Sequence, residues 1–265
     1  MVGSGAPVPR LRIYLAGPLR AEWSGRVLTE RELPSRQARL LLAFLVCERS
    51  RPVSRDALAE LLWPESTPPS WESSLKALVS KLRPFTRGLA PAGSSLPAIR
   101  AQYGCYQLEL PPDAWVDVEA ARAALDEGEG ALRRASVASA WGPLNVAVAI
   151  GRRDFLPGEG AEWAEERRRE LERLLVRALD GYAEATVAIG QPALAVEAAL
   201  EAIALDPLRE PSWRLLMRGH AAGGNRPEAL AAFHRLRGRL REELGVAPSG
   251  ETEALLSQIL RGLNA

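Results

Sequence analysis

The chain has 265 residues, 47% hydrophobic and 25% charged, with a formal net charge of +1. These are ordinary globular values at a length that suits two domains, and they exclude a disordered or fibrous chain. Two cysteines, Cys47 and Cys105, make no disulfide framework. No apolar run approaches the roughly 20 residues of a membrane span, and MVGSGAPVPR lacks the core of a signal peptide, so the reading is a reduced, cytoplasmic protein.

Charge is not spread evenly. Residues 1–110 hold fifteen lysines and arginines against nine acids, and residues 111–265 hold nineteen against twenty-four. A basic front suits a polyanion and an acidic rear suits protein.

In chain order, residues 1–8 read as a flexible arm. Leu11 to Leu28 alternates well enough for strands, with a break at Gly17-Pro18 and a turn at Ser24-Gly25. Ser35 caps a first helix, RQARLLLAFLVC, in which Cys47 is a core residue. Ser54 caps a second, DALAELLW, which Trp63-Pro64 closes because the residue before proline leaves the helical region. TPPS opens a third, WESSLKALVSKLR, ended by Pro84. Its Trp71, Leu75, Leu78, Val79 and Leu82 form one apolar face, and Ser73, Lys76, Ala77 and Ser80 the other, with Lys81 and Arg83 at its edge. The loop GLAPAGSSLP follows, then two short strands in AIRAQYGCYQLEL around Gly104. Pro111-Pro112 marks a boundary between domains at 9–112 and 113–265.

The remainder reads as helix: about 117–127, 131–150, a long charged helix after GRRDFLPGEG, then about 192–205, 210–222, 226–243 and 249–262. Its run Glu165 to Glu170 is a solvated face with alternating charges. Gly190 and Gly224 are 34 residues apart, as are Gln191 and Asn225, Ala195 and Ala229, Ala198 and Ala232. That is the period of the tetratricopeptide repeat, whose stacked helix pairs leave a concave surface for a peptide or protein.

Catalytic signatures are missing. There is no GxxxxGK[ST] loop and no GxSxG elbow, and the histidines, His220 and His234, have no metal-ligand spacing with the cysteines. The reading is neither an enzyme nor a cofactor protein. Three helices followed by a strand hairpin are instead the parts of a winged helix, whose third helix enters the DNA major groove. Arg100, Gln102 and Tyr103 near the hairpin tip suit a wing, and Arg55 and Arg36 at helix starts suit phosphates. An amphipathic helix on a purely structural domain would show the same pattern in residues 70–83.

The stretches RPVSRDALAELLWPES, LKALVSKLR and YGCYQLELPPDAWVDVE resemble the winged helix of SARP-type bacterial activators, the antibiotic regulatory protein family, itself similar to OmpR-type DNA-binding domains. GRRDFLPGEGAEWAEERRRELERL and the string from Ala204 to Leu255 resemble the bacterial transcriptional activator domain that follows it. The resemblance runs from about Leu11 to Leu260. It implies a mainly α fold: a winged helix-turn-helix with small strands, then an all-α tetratricopeptide-like repeat domain. It also implies a transcription regulator, an activator by family habit, that binds promoter repeats as side-by-side dimers and recruits RNA polymerase holoenzyme. Ser73, Lys76, Ala77 and Ser80 stand where the family reads the groove, Arg83 near a backbone-contacting position, and Arg100 to Tyr103 on the wing.

Two departures stand out. Glu72 and Ser73 replace a basic residue and an asparagine, and small residues in VDVEAARAAL replace a phenylalanine. The alternative is a helical-repeat adaptor whose winged helix no longer binds DNA. The nucleotide-binding module of larger relatives is missing from this sequence, as in a short stand-alone form or a fragment.

Overall fold

The structure is a computed structural model, and it describes residues 10–89 and 95–262. The arm expected at 1–8 and the middle of the loop at 88–97 lie outside the described residues. The described residues fall into two compact units, one drawn from Met1–Glu119 and Arg153–Arg168, the other from Ala120–Arg152 and Arg169–Ala265.

The first unit opens with strands β1 (Arg12–Tyr14), β2 (Arg20–Trp23) and β3 (Arg26–Thr29). Ser24 and Gly25 both take positive φ, 48° and 81°, and turn β2 into β3 as expected of that dipeptide. Next come α1 (Arg36–Cys47), β4 (Val53–Ser54), α2 (Arg55–Leu62) and α3 (Trp71–Gly88). Strands β5 (Ala98–Gln102), β6 (Cys105–Glu109) and β7 (Trp115–Val116) complete two sheets, in the orders β3-β2-β1-β7 and β4-β6-β5. Ser35 and Ser54 cap α1 and α2 through their hydroxyls, which accept from the N–H groups of Ala38 and Ala57. Leu41, Leu45, Leu58, Leu75, Leu82 and Leu108 are fully buried and form the core under the three helices.

Asp117 ties the sheet to the chain that follows. Its carboxylate accepts the N–H groups of Leu15 and Ala16 at 2.9–3.0 Å, and it is wholly buried. Residues 153–168 pack in this same unit. Phe155 bridges to Ala16 and Gly17, and Glu159 pairs with Arg36 and Arg39.

The third helix corrects the expected stop at Pro84: α3 continues to Gly88. Proline removes one N–H, so the carbonyl of Ser80 loses its intrahelical partner, but Ser80 is exposed, so that carbonyl is not left in a dry core. Beyond the proline, Phe85, Thr86 and Leu89 are buried, and that burial carries the helix another turn.

The second unit contains the described helices α4 (Asp117–Arg133), α5 (Val137–Gly151), α6 (Glu162–Ala188), α7 (Pro192–Leu205), α8 (Glu210–Ala222), α9 (Arg226–Leu244) and α10 (Gly250–Leu260), the first turns of α4 and α6 belonging to the first unit. The break expected at 128–130 is absent. Gly128 is where Leu144 approaches, and α4 runs on to Arg133.

The 34-residue period is structural. Gly190 and Gly224 adopt φ of 75° and 76°. The next N–H returns to a carbonyl five residues back in both turns, Gln191 to Thr186 and Asn225 to His220, each at 2.8 Å. Ala195, Ala198, Ala229 and Ala232 are all buried where neighbouring helices meet. Small residues at these points let the helices approach closely, which is how a helical repeat closes its core.

Candidate nucleic-acid interface

The helix α2, the turn after it and α3 stand beside the β5–β6 hairpin. Two links hold them together: Val53 and Ser54 pair with Tyr106 and Cys105, and the N–H of Arg55 donates to the carbonyl of Gly104 at 3.1 Å. The start of α2 and the hairpin tip are therefore fixed to each other by backbone.

The faces of α3 divide sharply. Leu75, Leu78, Val79, Leu82 and Phe85 are buried, while Ser73, Lys76, Ala77, Ser80 and Lys81 are all exposed. At 100° per residue, Ser73, Ala77, Ser80 and Pro84 form the centre of the outer face, a narrow strip of small side chains. Lys76 and Arg83 flank it on one side and Lys81 on the other. None of the three forms an ion pair among the described residues, so their charge is free for an outside partner. The hydroxyl of Ser73 donates back to the carbonyl of Ser70 at 2.8 Å. Glu72 is exposed in the first turn, where the helix dipole favours an acid.

The hairpin tip is Tyr103-Gly104, with φ of 49° and 75°. Tyr103 is 94% exposed and Gln102 is exposed beside it. Arg100 is exposed but pairs across the hairpin with Glu109 at 2.9 Å. Arg55 is exposed and unpaired among the described residues, its guanidinium 5.9 Å from the Tyr106 ring. Arg36 stands apart from these: it binds Glu159 at 2.9 Å, and a phosphate would have to compete with that buried carboxylate. Burial works against the charge on Glu159, but hydrogen bonds and charge from Arg36, with help from Arg39, hold its carboxyl below the usual range.

One exposed cation escaped the sequence reading. Arg87 lies on the outer face of α3, unpaired among the described residues. Its signal was the apolar spacing of Phe85 and Leu89 past Pro84, which continues the buried face.

The second unit carries a separate feature, a groove of about 490 Å³ whose lining includes Arg177, Asp180, Glu184, Arg214 and Arg218. The lining repeats with the helices: Asp180 and Arg214, and Glu184 and Arg218, are 34 residues apart. Most of its charges are held in place. Arg177 binds Glu129 at 2.8 Å, Arg209 binds Asp180 at 2.7 Å, and Arg214 binds Glu251 at 2.9 Å. No helix among the described residues is long and apolar enough to cross a membrane.

Residues 116–260 match the family described as bacterial transcriptional activator domain. The chain is 32% identical over 263 residues to the transcriptional regulatory protein EmbR of Mycobacterium tuberculosis, covering 98% of this chain and 66% of EmbR. It is 30% identical to the regulatory protein AfsR of Streptomyces griseus, covering 97% of this chain and 25% of that one. It is 29% identical to the regulatory protein DnrI of Streptomyces peucetius, at 95% and 92% coverage. The solved structure of M. tuberculosis EmbR in complex with a low affinity phosphopeptide superposes with a TM-score of 0.85 at 28% identity, over 96% of this chain and 66% of that one.

Proposed function

The chain belongs to the bacterial transcriptional activator domain family of SARP-type regulators, and we propose that it acts as a sequence-specific DNA-binding transcription regulator. The outer face of α3 enters the major groove. Ser73, Ala77 and Ser80 approach base edges, while Lys76, Lys81 and Arg83 meet phosphates. The hairpin tip, with Gln102 and Tyr103, lies against the neighbouring backbone or minor groove. Arg55 adds a phosphate contact at the start of α2, and Arg100 and Arg36 join only by leaving Glu109 and Glu159. The helical repeats contact RNA polymerase or a second copy on adjacent promoter repeats, and the outcome is activation.

The observation that carries this reading is the exposed face of α3, small at its centre and flanked by unpaired cations, fixed beside an exposed wing tip. Small side chains let a helix reach base edges, and unpaired cations release counterions from the duplex. The test is fluorescence anisotropy with DNA from the protein's own upstream region at two salt concentrations, for wild type and a Lys76→Glu/Lys81→Glu variant. Tight, salt-sensitive binding that the variant loses is the expected result. A folded wild type that binds no DNA at low salt favours the adaptor reading, for which the charged groove of the second unit is the feature to pursue.

A further inference from the structure

The continuation of α3 past Pro84 lengthens its cationic edge. Lys76, Arg83 and Arg87 follow at intervals of seven and four residues, so they lie within about 40° of one another around the helix. They span about 16 Å along its axis at the α-helical rise. A fourth cation, Arg26, reaches the last turn of α3 from the other side of the strip, the side that carries Lys81. A Cβ on Gly88 would lie 3.2 Å from Leu28 Cδ1 and 3.8 Å from Arg26 Nη2, so the start of β3 packs on the last turn of α3. Arg26 is exposed beside the tight Ser24-Gly25 turn.

These four cations form no ion pair among the described residues, whereas a neighbouring cation of the same sheet is committed. Arg20 binds Glu22 at 3.3 Å and lies 4.0 Å over the Tyr14 ring. The one acid on α3, Glu72, is at the opposite end of the helix. Unpaired like charges gathered on one helix repel one another, and an anionic partner relieves that repulsion.

We propose that Arg26 on the β2–β3 hairpin and Arg87 on α3 form a second backbone clamp that grips the sugar–phosphate chain of duplex DNA at the far wall of the groove. The geometry gives the reason. The major groove is about 12 Å wide, so a cationic row longer than that overruns the groove and its ends meet phosphates rather than bases. Lys76 meets one wall, and Arg87 with Arg26 meets the other. The contact carries no sequence information, and it uses a hairpin that lies outside the helix-turn-helix and its wing. The inference rests on the DNA-binding reading above.

Because phosphates are read without regard to sequence, the probe is a fluorescein-labelled 30-base-pair duplex of random sequence. The full chain is titrated by anisotropy from 50 to 300 mM NaCl, as wild type, Arg26→Gln/Arg87→Gln, Arg26→Lys/Arg87→Lys and Lys76→Glu/Lys81→Glu. The glutamine pair is expected to lower the slope of log K against log salt by about 1.8, two phosphates at about 0.9 each. The lysine pair keeps the slope, and circular dichroism shows both pairs folded. An unchanged slope in the glutamine pair, with the wild type binding and the α3 variant not, overturns the clamp and leaves the DNA-binding reading intact. A folded wild type that binds no duplex overturns both.

Discussion

Leu144 occupies the space that a side chain on Gly128 would need: a Cβ placed there would lie 2.5 Å from Leu144 Cγ. Gly181 faces the same leucine, its Cβ position 2.9 Å from Leu144 Cδ2. One fully buried leucine of α5 is thus received between two glycines, on α4 and α6.

Gly128→Ala gains about 1 kcal/mol of helix propensity and loses about 1–3 kcal/mol to overpacking, so a net loss of stability is expected. Gly130→Ala is the control two residues on. Its Cβ would meet only the far ends of two arginine side chains, Arg134 at 3.3 Å and Arg133 at 3.8 Å, and stability should rise by up to about 1 kcal/mol. Urea denaturation of the two variants checks the opposite signs; a stabilised Gly128→Ala would show that Leu144 repacks freely.

Pro84 interrupts one hydrogen bond in α3 without ending it. Pro84→Ala restores the donor to Ser80 and should stabilise the protein by about 1–3 kcal/mol, the usual cost of an interior proline less what the site has already relaxed. The melting temperature reports it, and a drop would mean that the proline ring makes contacts worth more than the bond it removes.

The salt bridge from Arg100 to Glu109 holds the wing arginine back from solvent partners. Glu109→Gln releases it. Exposed pairs of this kind are worth about 0–1 kcal/mol, so duplex binding should tighten by no more than about fivefold, with a steeper salt dependence. Anisotropy at low salt measures both; weaker binding would place the wing away from DNA.

The carboxylate of Glu210 accepts from the N–H and hydroxyl of Ser249 and from the hydroxyl of Thr252, at 2.6–3.1 Å. Burial raises its pKa, and these hydrogen bonds together outweigh burial and lower it. Its unfolded value is about 4.3. The stabilisation is therefore full above that pH and is lost as pH falls through the lower folded value. Asp117 has the opposite sign. Burial outweighs its backbone N–H bonds and raises its pKa, so its contribution is full below about 3.9 and is lost as pH rises through the folded value. Melting curves of Glu210→Gln against wild type should differ at pH 7 and converge toward pH 3; a constant gap would remove the linkage.

Cys47, expected in the core, is half-buried at the end of α1, and burial pushes its thiol up to about 12, with Arg167 opposing and Glu119, Glu48 and Asp117 adding to the rise. At pH 8 it is a thiol and not a nucleophile. Iodoacetamide followed by mass spectrometry should leave Cys47 unmodified until denaturant is added. Rapid alkylation of the native protein would contradict the raised thiol pKa.

Local chemistry made much of this molecule legible from sequence. Ser35 and Ser54 capped helices, Ser24-Gly25 and Tyr103-Gly104 turned hairpins, and the outer face of α3 followed from the spacing of Leu75, Leu78, Val79 and Leu82, because these features depend on residues within one turn of each other. The repeat was legible too, since Gly190 and Gly224 do the same work 34 residues apart. Tertiary structure decided the rest. Pro84 and Gly128 look like helix ends to any local rule, and only the burial of Phe85 and the approach of Leu144 keep those helices going. The same holds for the charges. Fifteen cations in the first 110 residues look alike in sequence, but Arg36 is claimed by Glu159, 123 residues away, and Arg100 by Glu109, while Arg26 is brought to the end of α3 and forms no ion pair among the described residues. Which cations remain free for a partner depends on long-range packing, and composition carries no record of it.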